Sequence, residues 1–188
     1  MATMMHLLKY LWANSVKFRV VGRIPHYLSQ HLDATTYIPG RICAKTILMK
    51  ADSKHWMVVV PANDGVDERE LQRALQVKHV DVVTEKDLET IVANCDAGAI
   101  PPFGNLYGFP VIVEKSVSEK EEIAFNACSS TDFIVMKYED YQRLTRPIIA
   151  AFSASASFDR SGTTVRGISF ADNIGSAAKG SAYSETMN

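Results

Sequence analysis

Apolar residues recur at helical spacing in Thr3–Ala13, where Met4, Leu7, Leu8 and Leu11 fall on one face and predict an amphipathic first helix. Val16–Val21 alternates apolar and basic residues, as a short strand does. A second helix is expected between Pro25 and Ala34, and Pro39-Gly40 ends the connection with a turn signal. The strongest strand candidates are Arg41–Lys50 and His55–Pro61, and the turn-like Ala51-Asp-Ser-Lys54 between them predicts a hairpin. Asp67–Val77 carries Leu71, Ala74 and Leu75 on one face with acids in its first turn, the preferred end for negative charge. Val80–Val83 is a short strand, after which Thr84-Glu-Lys-Asp87 resembles a capping box that opens a helix through Leu88, Ile91 and Val92. Val111–Glu114, Glu122–Asn126 and Phe133–Lys137 read as three short strands, and Tyr138–Leu144 as a last helix closed by Pro147. Residues 148–188 are rich in Ser, Ala and Gly without a sustained period, the composition of a flexible tail. The pattern predicts an α/β fold, with a mixed sheet or half-barrel flanked by helices in residues 1–147.

One stretch breaks every period. Gly98-Ala-Ile-Pro-Pro-Phe-Gly-Asn-Leu-Tyr-Gly-Phe109 holds two adjacent prolines, three glycines and three aromatics in twelve residues. Pro101 and Pro102 fix φ near −65° and donate no backbone hydrogen bond. Gly98, Gly104 and Gly108 permit backbone conformations closed to other residues. A stiff loop is expected, with free N–H groups at Gly98, Ala99, Ile100, Phe103, Gly104 and Asn105. Such donors can hold a carbonyl or phosphate oxygen.

Composition changes this picture little. At 188 residues, 47% hydrophobic and 22% charged, the chain is long enough for one domain with a real core. The net charge of −1 predicts no bulk attraction to nucleic acid. Its distribution is uneven, however: residues 1–50 hold seven basic side chains against one acidic, and residues 63–96 hold nine acidic against four basic. A basic face of that kind can steer a polyanion. Cys43, Cys95 and Cys128 are widely spaced, form no metal motif and read as reduced thiols in a cytoplasmic protein. No apolar run is long enough to span a membrane.

Local motifs for common chemistries are missing. No phosphate-binding glycine fingerprint follows a strand, Gly-x-Ser-x-Gly is absent, and the five histidines show no metal-ligand spacing. Four residues stand out instead. Lys45 sits inside the apolar strand Cys43-Ala-Lys-Thr-Ile47, where it either faces solvent or serves as a point charge for a phosphate or carboxylate. Thr46 adds a hydroxyl that points to the opposite face of a regular strand. Asn126 ends a strand, as a turn residue or as an amide that orients a ligand. Cys128 is either a buried thiol or a nucleophile, and no histidine lies near it in sequence.

Taken in order, Ala44-Lys-Thr46, Met57-Val-Val-Val-Pro-Ala62, Gly98-Ala-Ile-Pro-Pro-Phe-Gly104 and Phe125-Asn-Ala-Cys128 resemble the YbaK/prolyl-tRNA synthetase-associated domain family. The resemblance runs from about Gln30 to Pro147. It implies a mixed, barrel-like sheet flanked by helices and a trans-editing aminoacyl-tRNA deacylase. Such an enzyme hydrolyses the ester that joins a wrong, small amino acid to tRNA, with proline tRNA among the candidates. Lys45 then matches the family's essential lysine, in contact with the tRNA terminus or its phosphate. Gly98 and Gly104 bound the loop whose backbone donors hold the aminoacyl group, and Ile100, Pro101, Pro102 and Phe103 line it. Thr46, Glu114, Asn126 and Cys128 complete the implied substrate contacts, Glu114 standing where many relatives carry Asp. Cys128 departs from the family's glycine, and at a positive φ its β-carbon and sulfur would narrow the pocket. The implied partners are the 3′ end of aminoacyl-tRNA and an aminoacyl-tRNA synthetase, the protein acting as monomer or homodimer with no membrane, metal or cofactor. Two other classes stay open: a degenerate domain that binds RNA or a small ligand or acts as an interaction module, and a hydrolase or redox protein that depends on Cys128.

Overall fold

The structure, a computed structural model, describes residues 3–22, 38–92, 95–96 and 98–154. The helix expected between Pro25 and Ala34 lies outside the described residues. Helix α1 (Met4–Ala13) starts where Thr3 accepts a hydrogen bond from the His6 N–H, and it buries Leu7, Leu8 and Leu11. Strand β1 (Phe18–Val21) follows. The hairpin is β2 (Ala44–Ala51) and β3 (Lys54–Pro61), paired antiparallel from Ala44–Pro61 to Ala51–Lys54. Its two-residue turn is served by Asp52, which adopts φ 51° and accepts a hydrogen bond from the His79 N–H at 3.0 Å. Arg41 and Ile42, expected as the start of the strand, lie instead in a 3₁₀ turn (Gly40–Ile42).

The short β4 (Gly65–Val66) leads into α2 (Glu68–Leu75), capped by the Asp67 carboxylate and closed by Gln76 in the left-handed region. Strand β5 (Val80–Val82) and α3 (Glu85–Ile91) come next, and Thr84 caps α3 by accepting from the Asp87 N–H, the pairing that a capping box requires. After the loop come β6 (Val111–Glu114), the one-turn α4 (Lys115–Ser118), β7 (Glu122–Asn126), β8 (Phe133–Lys137) and α5 (Tyr138–Thr145). The chain then contributes β9 (Ile148–Ala150) and β10 (Ser153–Ala154). This corrects the expectation of a loose tail from residue 148: residues 148–154 are ordered by pairing with β6 and β4.

Two sheets carry the fold. One runs β5-β2-β3-β6-β9 and is mixed, with β3, β6 and β9 parallel; the other is antiparallel in the order β1-β8-β7. They meet at a parallel bridge between Cys43 and Ala124, so the sheets curve into an open half-barrel. Strand alternation sorts the side chains. Ala44, Leu48, Met57, Val59, Val111 and Val113 turn inward, toward α1, α5 and the central loop. Ile47, Met49, Val58, Val60 and Ile112 turn outward, under α2 and Phe152.

Candidate active site

The central loop is anchored from below. Phe103 is fully buried and meets Phe125, Tyr141 and Tyr10 edge-on, with ring centroids 5.5, 5.4 and 6.1 Å away. Such pairs are worth about 0.5–1.5 kcal/mol each beyond area burial. Tyr141 donates its hydroxyl to the Pro102 carbonyl at 3.0 Å, and Pro101, Pro102 and Ile100 are buried. A β-carbon on Gly104 would overlap the Phe109 carbonyl oxygen and lie 2.7 Å from Val111 Cγ2, so only glycine fits there. Gly98 takes φ 74°.

The donor count needs correcting. The Ala99 N–H is taken by the Asp96 carbonyl at 3.0 Å and the Phe103 N–H by the Pro101 carbonyl at 2.8 Å, because the loop closes its own turns. The N–H groups of Gly98, Ile100 and Gly104 have no backbone partner among the described residues.

The loop is clipped to the turn after β7. Cys128 N–H donates to the Ala99 carbonyl at 3.0 Å, Asp96 N–H to the Cys128 carbonyl at 3.1 Å, and Ser130 N–H to the Asp96 carboxylate at 2.9 Å. Cys95 and Cys128 are joined as a disulfide across the same junction, which corrects the reading of all three cysteines as reduced thiols; Cys43 is free. The two cysteines lie 33 residues apart, and no local pattern links them. Cys128 stands at φ 62°, the conformation that the resemblance ascribes to a glycine there. Asn126 uses its amide to donate to the Ser129 carbonyl at 3.0 Å, closing the turn.

Lys45 is half-buried on the outward face of β2, opposite Val60. From the Cys43–Ala124 bridge both strands run on in the same direction, which brings Lys45 and Asn126 level on one side. No carboxylate lies within 4.0 Å of the ammonium among the described residues. Burial lowers its pKa below that of an ordinary lysine, and the charge of Asp64 pulls weakly the other way. Thr46 turns inward, 4% exposed, with its hydroxyl unpartnered among the described residues. It therefore faces the loop side while Lys45 faces away from it.

Glu114 shares the outward row with Lys45, two strands away beyond Val60. Its buried carboxylate accepts the Phe152 N–H at 2.6 Å, which fixes the chain between β9 and β10. The predicted residues thus divide. Lys45 and Asn126 lie on the same outward side of neighbouring strands, and Asn126 leads into the turn of Cys128, which is clipped to the loop that carries Gly98 and Ile100. Glu114 is spent on structure, and Pro101, Pro102 and Phe103 are core. Two participants were missed from sequence: Asp64, the charge that acts on Lys45, and Tyr107, whose hydroxyl lies 3.6 Å from Cys95 Sγ and 3.8 Å from Cys128 Sγ. The density of aromatics in the loop was the available signal for Tyr107.

The family model for the aminoacyl-tRNA editing domain matches residues 27–144. The chain belongs to the aminoacyl-tRNA editing domain family. It is 24% identical over 162 residues to a protein of Escherichia coli (strain K12) named multifunctional Ser/Thr-tRNA deacylase ProXp-y, covering 82% of this chain and 95% of that one. A crystal structure described as a putative trans-editing enzyme for prolyl tRNA synthetase superposes with TM-score 0.62 at 14% identity, over 80% of this chain and 96% of that one. A putative signal transduction protein from Marinobacter aquaeolei VT8 superposes with TM-score 0.62 at 18% identity, over 81% of this chain and 32% of that longer one. At these identities the superpositions establish the mixed α/β fold. Among the described residues no helix is long and apolar enough to cross a membrane, and no group of three His, Cys, Asp or Glu side chains is placed to hold a metal.

Proposed function

We propose that this editing domain acts in trans as an aminoacyl-tRNA deacylase, hydrolysing the ester of a small amino acid mischarged on tRNA. The observation that carries the reading is Lys45: a half-buried ammonium on the outward face of β2, on the same side as Asn126, with no carboxylate within 4.0 Å among the described residues. An uncompensated, partly desolvated cation is costly to keep and well suited to an anionic ligand. The phosphate of the terminal nucleotide fits that place.

The chemistry asks little of the protein. A positioned water attacks the ester carbonyl, the N–H groups of Gly98 and Ile100 receive the developing oxyanion, and the ribose oxygen leaves with a proton. One such donor is typically worth about 10²–10³ in rate. The disulfide-bonded Cys128 is not available as a nucleophile in this state. Its side chain occupies the turn at the pocket's edge and favours a small aminoacyl group, because editing sites discriminate by size. The same side chain supports a second reading, a domain that binds the RNA terminus without hydrolysing it.

The deciding experiment is deacylation of a panel of mischarged tRNAs by wild type and Lys45→Ala. The panel carries alanine, cysteine and serine on proline tRNA, with serine and threonine esters added after the E. coli relative. Hydrolysis of one ester by wild type, lost in Lys45→Ala, supports the deacylase and names its substrate. No hydrolysis by folded wild type, with uncharged tRNA still bound, supports the binding domain.

A further inference from the structure

Three half-buried aromatic rings lead away from the candidate site in a row. Tyr107 and Phe109 lie with ring planes within 2° of parallel and centroids 6.5 Å apart; His55 meets Phe109 edge-on at 5.7 Å. The row starts at the site, because the Tyr107 hydroxyl touches both sulfurs of the Cys95–Cys128 pair. It ends beside a cation: His55 pairs across the hairpin with exposed Lys50, and Asp81 stands on the other side of Lys50 in β5. Tyr107 and Phe109 each pack one side against the inner core while part of the ring stays in solvent. The core has fully buried aromatic anchors besides them in Phe103, Phe125 and Tyr141.

We propose that Tyr107, Phe109 and His55 form a stacking platform for unpaired nucleobases adjoining the esterified end of the RNA. The inference rests on the reading of Lys45 and the loop as the place where that end is bound. Unpaired bases offer π-faces that stack on aromatic side chains whatever their sequence. A platform that begins at the ester pocket and ends at Lys50 would hold the nucleotides preceding the terminal one and keep the ester in register with the loop donors. It supplies affinity that a net charge of −1 does not.

The test compares uncharged tRNA carrying its complete single-stranded 3′ end with the same tRNA trimmed of its unpaired 3′ nucleotides. Phe109→Leu and Tyr107→Leu keep apolar contact with the core and remove the ring; Tyr107→Phe keeps the ring. Each leucine variant is expected to bind the intact tRNA about tenfold more weakly than wild type. Tyr107→Phe should match wild type, and all proteins should bind trimmed tRNA alike. Unchanged binding by Phe109→Leu, or equal loss on both RNAs, overturns the platform. A second arm needs no variant: wild type should bind a short single-stranded oligoribonucleotide at least tenfold more tightly than its abasic counterpart, and equal binding overturns the proposal. Base-dependent binding without hydrolysis of any ester would sink the deacylase and leave the platform standing. Hydrolysis without base dependence would do the reverse.

Discussion

Two charged side chains occupy the same outward row of the five-stranded sheet, and they meet opposite fates. Glu114, at the end of β6, is 4% exposed and accepts the Phe152 N–H at 2.6 Å, so its charge is consumed inside the fold. Lys45, near the start of β2, is half-buried with no carboxylate within 4.0 Å among the described residues, and only the more distant Asp64 opposes its desolvation. Burying a charge costs free energy unless a partner compensates. At Glu114 the partner is the protein's own backbone. At Lys45 the described residues supply only the distant Asp64, and an anionic ligand is the natural candidate. The two residues resemble each other in sequence, each a charge in a mostly apolar strand, and only their partners distinguish structure from function.

The largest effect that would break this contrast is on activity. Lys45→Ala is expected to reduce deacylation at least a hundredfold while leaving the urea midpoint at or above that of wild type, because it removes a desolvated charge and no ion pair. A variant that loses stability together with activity would show that Lys45 is structural after all. Glu114→Ala should behave the other way. It leaves a buried N–H unpaired and opens a cavity, at a cost of about 2–3 kcal/mol. Thermal unfolding reads that loss, and activity per folded molecule should stay within a few-fold of wild type. A collapse of activity at full stability would move Glu114 into the site.

This contrast was only half legible in the sequence. The hairpin was readable because apolar alternation and a turn-forming Asp52-Ser53 agree locally, and the Thr84 cap was readable for the same reason. Lys45 was not: alternation allows a lysine to face solvent or a pocket, and it was the resemblance of four ordered motifs that singled it out. Glu114 was singled out by the resemblance alone, and its structural role was hidden because its partner, the Phe152 N–H, lies 38 residues away in a stretch whose composition carries no period. Strand β9 escaped for the same reason, since three residues with exposed Ile148 and Ile149 gain their order from pairing with β6 and not from their own pattern. The Cys95–Cys128 pair and the self-closure of the loop through Ala99 and Phe103 are likewise products of the folded backbone.

The turn beside Lys45 offers a smaller test. Cys128 holds φ 62°, where a β-carbon costs about 1–2 kcal/mol relative to glycine. Cys128→Gly and Cys128→Ser both lack the disulfide, so their difference isolates the backbone term. The glycine variant should be the more stable by about 1 kcal/mol in chemical denaturation. It should also accept a larger aminoacyl group than wild type. Equal stability would mean that the turn relaxes to relieve Cys128, and the narrowing of the pocket would lose its basis.

The smallest effect concerns the proton on Lys45. Desolvation lowers its folded-state pKa below the unfolded value, so between the two the unfolded chain binds more protons than the folded one. Stability from this group is therefore least at neutral pH and rises as pH climbs through the folded-state value toward 10.5, the ordinary lysine value. The matching variant is Lys45→Met, which keeps the apolar stem and cannot titrate. Wild type should gain on Lys45→Met in urea midpoint across alkaline pH, and over the same range its affinity for uncharged tRNA should fall as the ammonium is lost. A bound phosphate would hold the proton on, so saturating RNA should shift that fall to higher pH. If wild type and Lys45→Met run parallel at every pH, with or without RNA, the ammonium is solvated like any surface lysine, and the contrast with Glu114 reduces to a difference in exposure.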